Sequence, residues 1–212
     1  MRGHIVPLKI LGGVAVPLLV LTVLTGEPVF YALLFLSGLV FFSLQWFLRD
    51  PERATPQGDG LVTSAADGRV CSLERVRENL YLGGEGIAVG VYLSLFDVHI
   101  NRIPVSGVVR LISHKSGRFF PAFQKRASAY NEQQIIGIES DRGRILVKQI
   151  AGSVARRIVC HLRLGDVVRA GDRFGMIKLG SRVELILPPH TEIKVKLGDR
   201  VRAGETIIGV MR

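Results

Sequence analysis

Cysteine is almost missing from this chain. Cys71 and Cys160 are the only two, far apart and in no Cys-x-x-Cys pair. That excludes a disulfide framework, offers no thiolate set for zinc, and points to a reduced, cytosol-facing domain. Aromatic residues are scarce at 7% and never interleave with basic ones, which argues against a nucleic-acid surface although the chain is basic. Acidic residues are the other shortage. Asp and Glu number 18 against 28 Lys and Arg, so the formal charge is +10 and an anionic partner such as a cytoplasmic membrane leaflet is expected. Histidines are few as well, and His4, His161 and His190 stand at no spacing typical of metal ligands, so no metal is expected.

Long apolar runs, by contrast, fill the start of the chain. Residues 10–25 and 29–48 carry no charge and are separated by a turn at Thr25-Gly26-Glu27-Pro28. The second run is long enough to cross a bilayer, while the first is marginal and contains Pro17. A secretory signal peptide is a poor match, because a second apolar run follows at once and no small-residue cleavage site ends the first. Arg2 and Lys9 precede the pair and Arg49 and Arg53 follow it, which favours a hairpin with both ends cytoplasmic. The alternative is a buried helical pair in a soluble core. Residues 1–49 thus read as a membrane-associated helical hairpin and 50–60, with two prolines and two glycines, as a linker.

The remainder, 61–212, reads as a mainly β domain. Stretches 87–96, 107–112, 145–150 and 183–187 are apolar or β-branched and bounded by Gly, Pro or Asn/Asp, whereas 118–130 suits a loop or a short helix. Strands at this spacing predict a barrel or sandwich. Gly83-Gly84-Glu85-Gly86 reads as a hairpin turn and not a phosphate loop, since no helix follows. Leu164-Gly165-Asp166-Val167-Val168-Arg169-Ala170-Gly171 returns 33 residues later as Leu197-Gly198-Asp199-Arg200-Val201-Arg202-Ala203-Gly204. Two copies are too few for a solenoid. The repeated element resembles the hammerhead turn of biotinyl and lipoyl carrier domains. A carrier needs an exposed lysine at a hairpin tip, and Met176 and Lys178 flank no such tip, so the repeat reads as architecture. A membrane-anchored carrier or adaptor without catalysis is the alternative.

Four segments carry groups suited to chemistry. Thr63 to Val70 places Asp67 at a turn entering a strand, and Asp97-Val98-His99-Ile100-Asn101-Arg102 sets a carboxylate, an imidazole, an amide and a guanidinium on a strand-to-loop edge. Gln149 to Ile158 is an apolar strand with the paired arginines Arg156 and Arg157. Between the two hammerhead copies lies Leu179-Gly180-Ser181, a tight corner between strands. Gly180 lets the backbone take strained angles and leaves its carbonyl open to close approach, with the Ser181 hydroxyl within reach.

Taken together, in this order and behind an apolar hairpin, these segments resemble the phosphatidylserine decarboxylase proenzymes, in particular the short form found in many bacteria and archaea. The resemblance covers roughly residues 55–212; Ala129-Tyr130-Asn131-Glu132-Gln133 matches the family only loosely. It implies a self-processing enzyme in which the Ser181 hydroxyl attacks the Gly180 carbonyl. Cleavage would then leave chains 1–180 and 181–212 as a heterodimer, with Ser181 converted to a pyruvoyl group. That ketone condenses with the substrate amine as a Schiff base and acts as electron sink. By the same resemblance Asp67 serves processing and His99 transfers protons. Arg102 stands where longer members carry a second histidine, the processing base. Arg102 and Arg156 are candidates to hold the substrate head group. The implied reaction is phosphatidylserine to phosphatidylethanolamine at the cytoplasmic face of the cell membrane, with archaetidylserine as an alternative substrate. Partners are the lipid, the membrane and the chain's own fragments; association of further copies is left open.

Overall fold

The computed structural model describes residues 5–124, 126–153, 157–177 and 180–212. It divides into two compact units that meet between Arg49 and Asp50. In the first unit α1 (Ile5–Thr25) and α2 (Pro28–Phe47) lie against each other. Pro28 opens α2 at a position where its missing N–H is not needed. The hydroxyls of Thr22, Thr25 and Ser37 turn back to the carbonyls of Leu18, Leu21 and Leu34 at 2.7–2.8 Å, which satisfies them without water. No residue of α2 is buried, and Phe35, Phe42 and Trp46 stand exposed. Among the described residues α2 alone is long and apolar enough to cross a membrane; the comparable part of α1, Ala15–Thr25, is shorter.

The second unit, Asp50–Arg212, is mainly β. In chain order its strands are β1 (Leu61–Thr63), β2 (Gly68–Glu78), β3 (Gly84–Leu93), β4 (Ile100–Arg102), β5 (Gly107–Lys115), β6 (Gln133–Ser140) and β7 (Gly143–Ile150). There follow β8 (Ile158–Cys160), β9 (Val167–Val168), β10 (Arg173–Ile177), β11 (Ser181–Leu187), β12 (Glu192–Ile193), β13 (Arg200–Val201) and β14 (Ile207–Val210). One short helix, α3 (Ala127–Tyr130), closes the loop after β5. Eight strands form a curled half-barrel in the order β13-β2-β3-β11-β7-β6-β5-β9, and two small sheets run β1-β14-β12 and β4-β10-β8. The expectation of a β barrel or sandwich built on a repeated hammerhead is met.

That strand order is palindromic. The hammerhead strands β9 and β13 are the two edges, β2 and β5 come next, then β3 and β6, with β11 and β7 paired at the centre. Equivalent turns repeat the same bonds. Gly165 N–H donates to Val109 O and Gly198 N–H to Val70 O, both at 2.8 Å; Gly171 N–H donates to Ile103 O and Gly204 N–H to Ser64 O, again at 2.8 Å. The unit is therefore two similar halves. One half (β4 to β10) is inserted between β3 and β11 of the other. The chain enters the insert through residues 94–99 and leaves it through 178–180.

Side chains from both halves fill one core, including Val62, Val91, Ile103, Ile136, Phe174, Val183, Leu185 and Ile208. β11 is buried along its whole length between β3 and β7: Val183, Leu185 and Leu187 face the core, and the equally buried Arg182 and Glu184 alternate with them. The irregular stretch 50–60 is pinned to this unit: Asp50 and Glu52 bind Arg173, Arg53 binds Asp67 and Glu205, and Asp59 binds Arg142.

Candidate active site

Ser181 opens β11, opposite Leu93 at the end of β3. Its residue is fully buried, and its Oγ has no hydrogen-bond partner among the described residues. A buried hydroxyl left unbonded is costly, and such exceptions call for a functional reason. Gly180, just before it, sits at φ 62°, in the left-handed region that side-chain-bearing residues avoid, and a Cβ there would meet nothing within 4 Å among the described residues. The junction is thus a strained backbone with open space on the glycine and an uncommitted hydroxyl on the serine.

The His99 segment begins at the same end of the sheet. Leu93, paired with Ser181, leads into a turn at 94–97 that ends on the histidine segment. The Asp97 carboxylate builds that turn: Oδ2 accepts from the Ser94 N–H at 2.9 Å and the Ser94 hydroxyl at 2.6 Å. From the other side, Ile177 N–H, at the end of β10, reaches His99 O at 3.4 Å. The ring is fully buried, and Nδ1 lies 2.8 Å from Asp97 O. A carbonyl can only accept, so Nδ1 carries a proton, and that bond fixes the orientation of the ring.

The second hammerhead copy gathers Asp67 to the same region. Ala203 N–H donates to Asp67 Oδ1 and Arg53 Nη2 to Oδ2, both at 2.8 Å, while Arg200 of the same copy reaches Asp97 at 3.4 Å. Burial pushes the Asp67 carboxyl above the ordinary value of 3.8. The Ala203 amide and Arg53 oppose that shift, and the negative charge of Asp97 adds to it. At the equivalent place in the other copy Ala170 N–H donates to the Ser106 hydroxyl at 3.0 Å, so the carboxylate belongs to one half only.

Arg102 is buried and directs its guanidinium to Gly171 O at 2.9 Å, Pro51 O at 2.8 Å and Asp50 at 3.2 Å. It thereby fastens the start of the unit to the first hammerhead copy. Arg156 and Lys178 lie outside the described residues. Met176, weighed as a carrier-type neighbour, is buried inside β10 and marks no hairpin tip. Asn131 is buried with its amide fully used by Phe120 and Ala151, which ties the loop after β5 to the end of β7.

Sequence reasoning gave no role to a pair of buried amides. Gln149 Nε2 donates to Asn101 Oδ1 at 2.8 Å; Asn101 Nδ2 and the Gln149 oxygen are not paired among the described residues. Gln149 lies opposite Val183, on the face of the sheet that Ser181 shares. Gly175 makes room for it, since a Cβ there would press on the Gln149 amide and on Val159 O. The pairing of residues 48 positions apart has no local sequence signal. On the opposite face of β11, Arg182 and Glu184 form a buried ion pair at 2.6 Å that Ser128 joins, beside a cavity of about 320 Å³.

Fold and site together define a class: an apolar helical pair followed by a doubled hammerhead β unit, whose glycine–serine junction starts the buried central strand. The profile of the family described as phosphatidylserine decarboxylase matches residues 41–209. A phosphatidylserine decarboxylase proenzyme of Symbiobacterium thermophilum is 46% identical over 175 residues, 82% of this chain and 81% of its own length. Its namesake in Carboxydothermus hydrogenoformans is 43% identical over 191 residues, covering 90% of this chain and 89% of the relative. A third, from Wolbachia pipientis wMel, is 41% identical over 201 residues. This chain belongs to the phosphatidylserine decarboxylase family.

Proposed function

We infer that this protein is a self-processing, pyruvoyl-dependent decarboxylase that converts phosphatidylserine to phosphatidylethanolamine at the cytoplasmic face of the cell membrane. The observation that carries the reading is the junction itself: Gly180 at φ 62° with space around it, followed by the buried, unbonded Ser181 hydroxyl. Maturation is written with this chain's own atoms. Ser181 Oγ gives up its proton and attacks the Gly180 carbonyl carbon; the peptide C–N bond breaks and an ester takes its place. A base then removes the Cα proton of residue 181, and the Gly180 carboxylate leaves. The dehydroalanine so formed tautomerises to an imine, water adds, and ammonia departs. Asp67, its carboxyl held above the ordinary range, is assigned to processing.

The ketone left at residue 181 supplies the electron sink that decarboxylation of an amino acid requires. His99 is the proton-transfer residue, with its ring oriented by the Asp97 carbonyl and Nε2 as the working nitrogen. Complete burial of His99 and Ser181 keeps bulk water from the reacting carbon. The chains 1–180 and 181–212 stay together as a heterodimer, and the apolar α2 supports attachment to the inner membrane.

Intact mass of the purified wild-type protein tests this directly. Two chains divided between Gly180 and Ser181, the smaller with a blocked carbonyl-bearing N-terminus, are expected together with phosphatidylethanolamine formation. Ser181→Ala is expected to remain one inactive chain, and His99→Ala to lose decarboxylation. An uncleaved wild-type chain that is nevertheless active would falsify the proposal.

A further inference from the structure

The strand register places several loops at one end of the half-barrel. Leu93 pairs with Ser181, Arg182 with Ile150, Ile150 with Gln133, and Gln133 with Lys115. The end of β3, the start of β11, the end of β7, the start of β6 and the end of β5 therefore lie side by side. From this end leave the loops 94–99 and 116–132, on either side of the Gly180–Ser181 junction.

Among the described residues of the β unit, the exposed aromatic side chains are Phe96, Phe123 and Tyr130, and all three belong to these two loops. Phe96 is 73% exposed and Phe123 62%, with Leu95 beside them at 48%. Solvent-facing phenylalanines confined to one end are not explained by packing. The loops are also held in place. Phe123 meets Tyr92 of β3 edge-on at 6.3 Å, and Phe120 meets Tyr130 at 6.4 Å. Lys115, Arg118, Arg126 and Arg157 leave from this same end and are exposed; Lys115 Nζ donates to Ala129 O at 3.0 Å, and Arg126 lies over the Phe120 ring at 4.5 Å. The acids nearby are engaged: Glu132 faces His114 at 3.9 Å, and Asp97 is buried with Ser94 and Arg200.

We propose that this end of the β unit is a second membrane-docking surface, in which Leu95, Phe96 and Phe123 enter the interface of an anionic bilayer while the surrounding arginines and lysine bind its phosphates. Exposed aromatic and basic side chains gathered at one end match the two layers of such a bilayer, apolar below and negatively charged above. A protein partner would need a broad, shape-matched patch, whereas the exposed apolar side chains here lie on two separate loops. The proposal rests on the membrane-enzyme reading only for the choice of lipid. It places the lipid head groups over the Gly180–Ser181 end, with the tails left in the membrane.

The test uses the full chain in vesicles of phosphatidylglycerol and dibrominated phosphatidylcholine, which hold no serine lipid, so docking is read without turnover. In a Trp46→Phe background, Phe96→Trp and Phe123→Trp should each emit blue-shifted light that the brominated lipid quenches. Leu80→Trp, at the far end of the sheet, should emit as a solvent-exposed tryptophan. In a separate assay on serine-lipid vesicles, Phe96→Ser/Phe123→Ser should raise KM roughly tenfold and leave turnover of short-chain dispersed substrate unchanged. Unshifted, unquenched emission at 96 and 123 would overturn the proposal. So would loss of self-association in the Ser variants with an unchanged KM on serine-lipid vesicles, since that would assign the face to a second copy. Quenching in a protein that makes no phosphatidylethanolamine would uphold docking while sinking the decarboxylase reading.

Discussion

Asp67 shows how one carboxylate can be bonded and still be a poor acid. It accepts an amide and a guanidinium, yet its burial outweighs both. Between 3.8 and its raised value the folded chain holds a proton that the unfolded chain has released. Native stability therefore falls as pH climbs through that window and is level above it. Processing, which needs the charged form, should slow as pH drops through the same window, at a higher pH than an ordinary aspartate would allow. Asp67→Asn keeps an acceptor for Ala203 and is expected to slow cleavage by a factor on the order of a hundred. A gel time course of freshly synthesised proenzyme from pH 4 to 8 would check both; identical cleavage rates for the two proteins would remove Asp67 from processing. Asp67, His99 and Ser181, the residues proposed for the chemistry, stand out in the sequence because each sits in a distinctive local motif. Arg53 looked like a flanking charge in a linker, and the Gln149–Asn101 pair was invisible, because their partners come from distant strands.

Among the elements, legibility followed burial. β11 and β7, enclosed on both sides, announce themselves as apolar runs over 183–187 and 145–150. β2 shows only its first residues, because Arg69, Glu74, Arg75 and Arg77 interrupt its apolar face. The hammerhead strands β9 and β13 are only two residues long, yet they were found through their turns. Turns demand particular residues at particular positions, while a core asks only for volume and alternation. That difference also hid the duplication: β2 and β5 are equivalent in the sheet but share little sequence. The corner before β11 invites a variant. Gly180→Ala meets no steric obstacle, but holding φ at 62° costs an alanine about 1–2 kcal/mol. Cleavage should slow by roughly tenfold or more while the fold persists, read as accumulated uncleaved chain with unchanged circular dichroism.

For the molecule as a whole, the short chain 181–212 would supply β11 to β14, which pair with β1, β2, β3 and β7 of the long one. After scission the two pieces should co-elute in size-exclusion chromatography without denaturant and part only on unfolding; separation in native buffer would contradict this arrangement. The inserted half joins its host by two crossings, 94–99 inbound and 178–180 outbound. Leu93, where the inbound crossing starts, pairs with Ser181, which follows the outbound one, so the two crossings meet the sheet at one end. Cutting the outbound crossing leaves the inbound one as the sole covalent tether between the halves. In a cleaved protein the two similar halves would stay joined covalently only through the stretch that carries His99, and otherwise by the β11–β7 ladder and the shared core, so a change at His99 would be felt in how the halves are held as well as in the chemistry proposed for it.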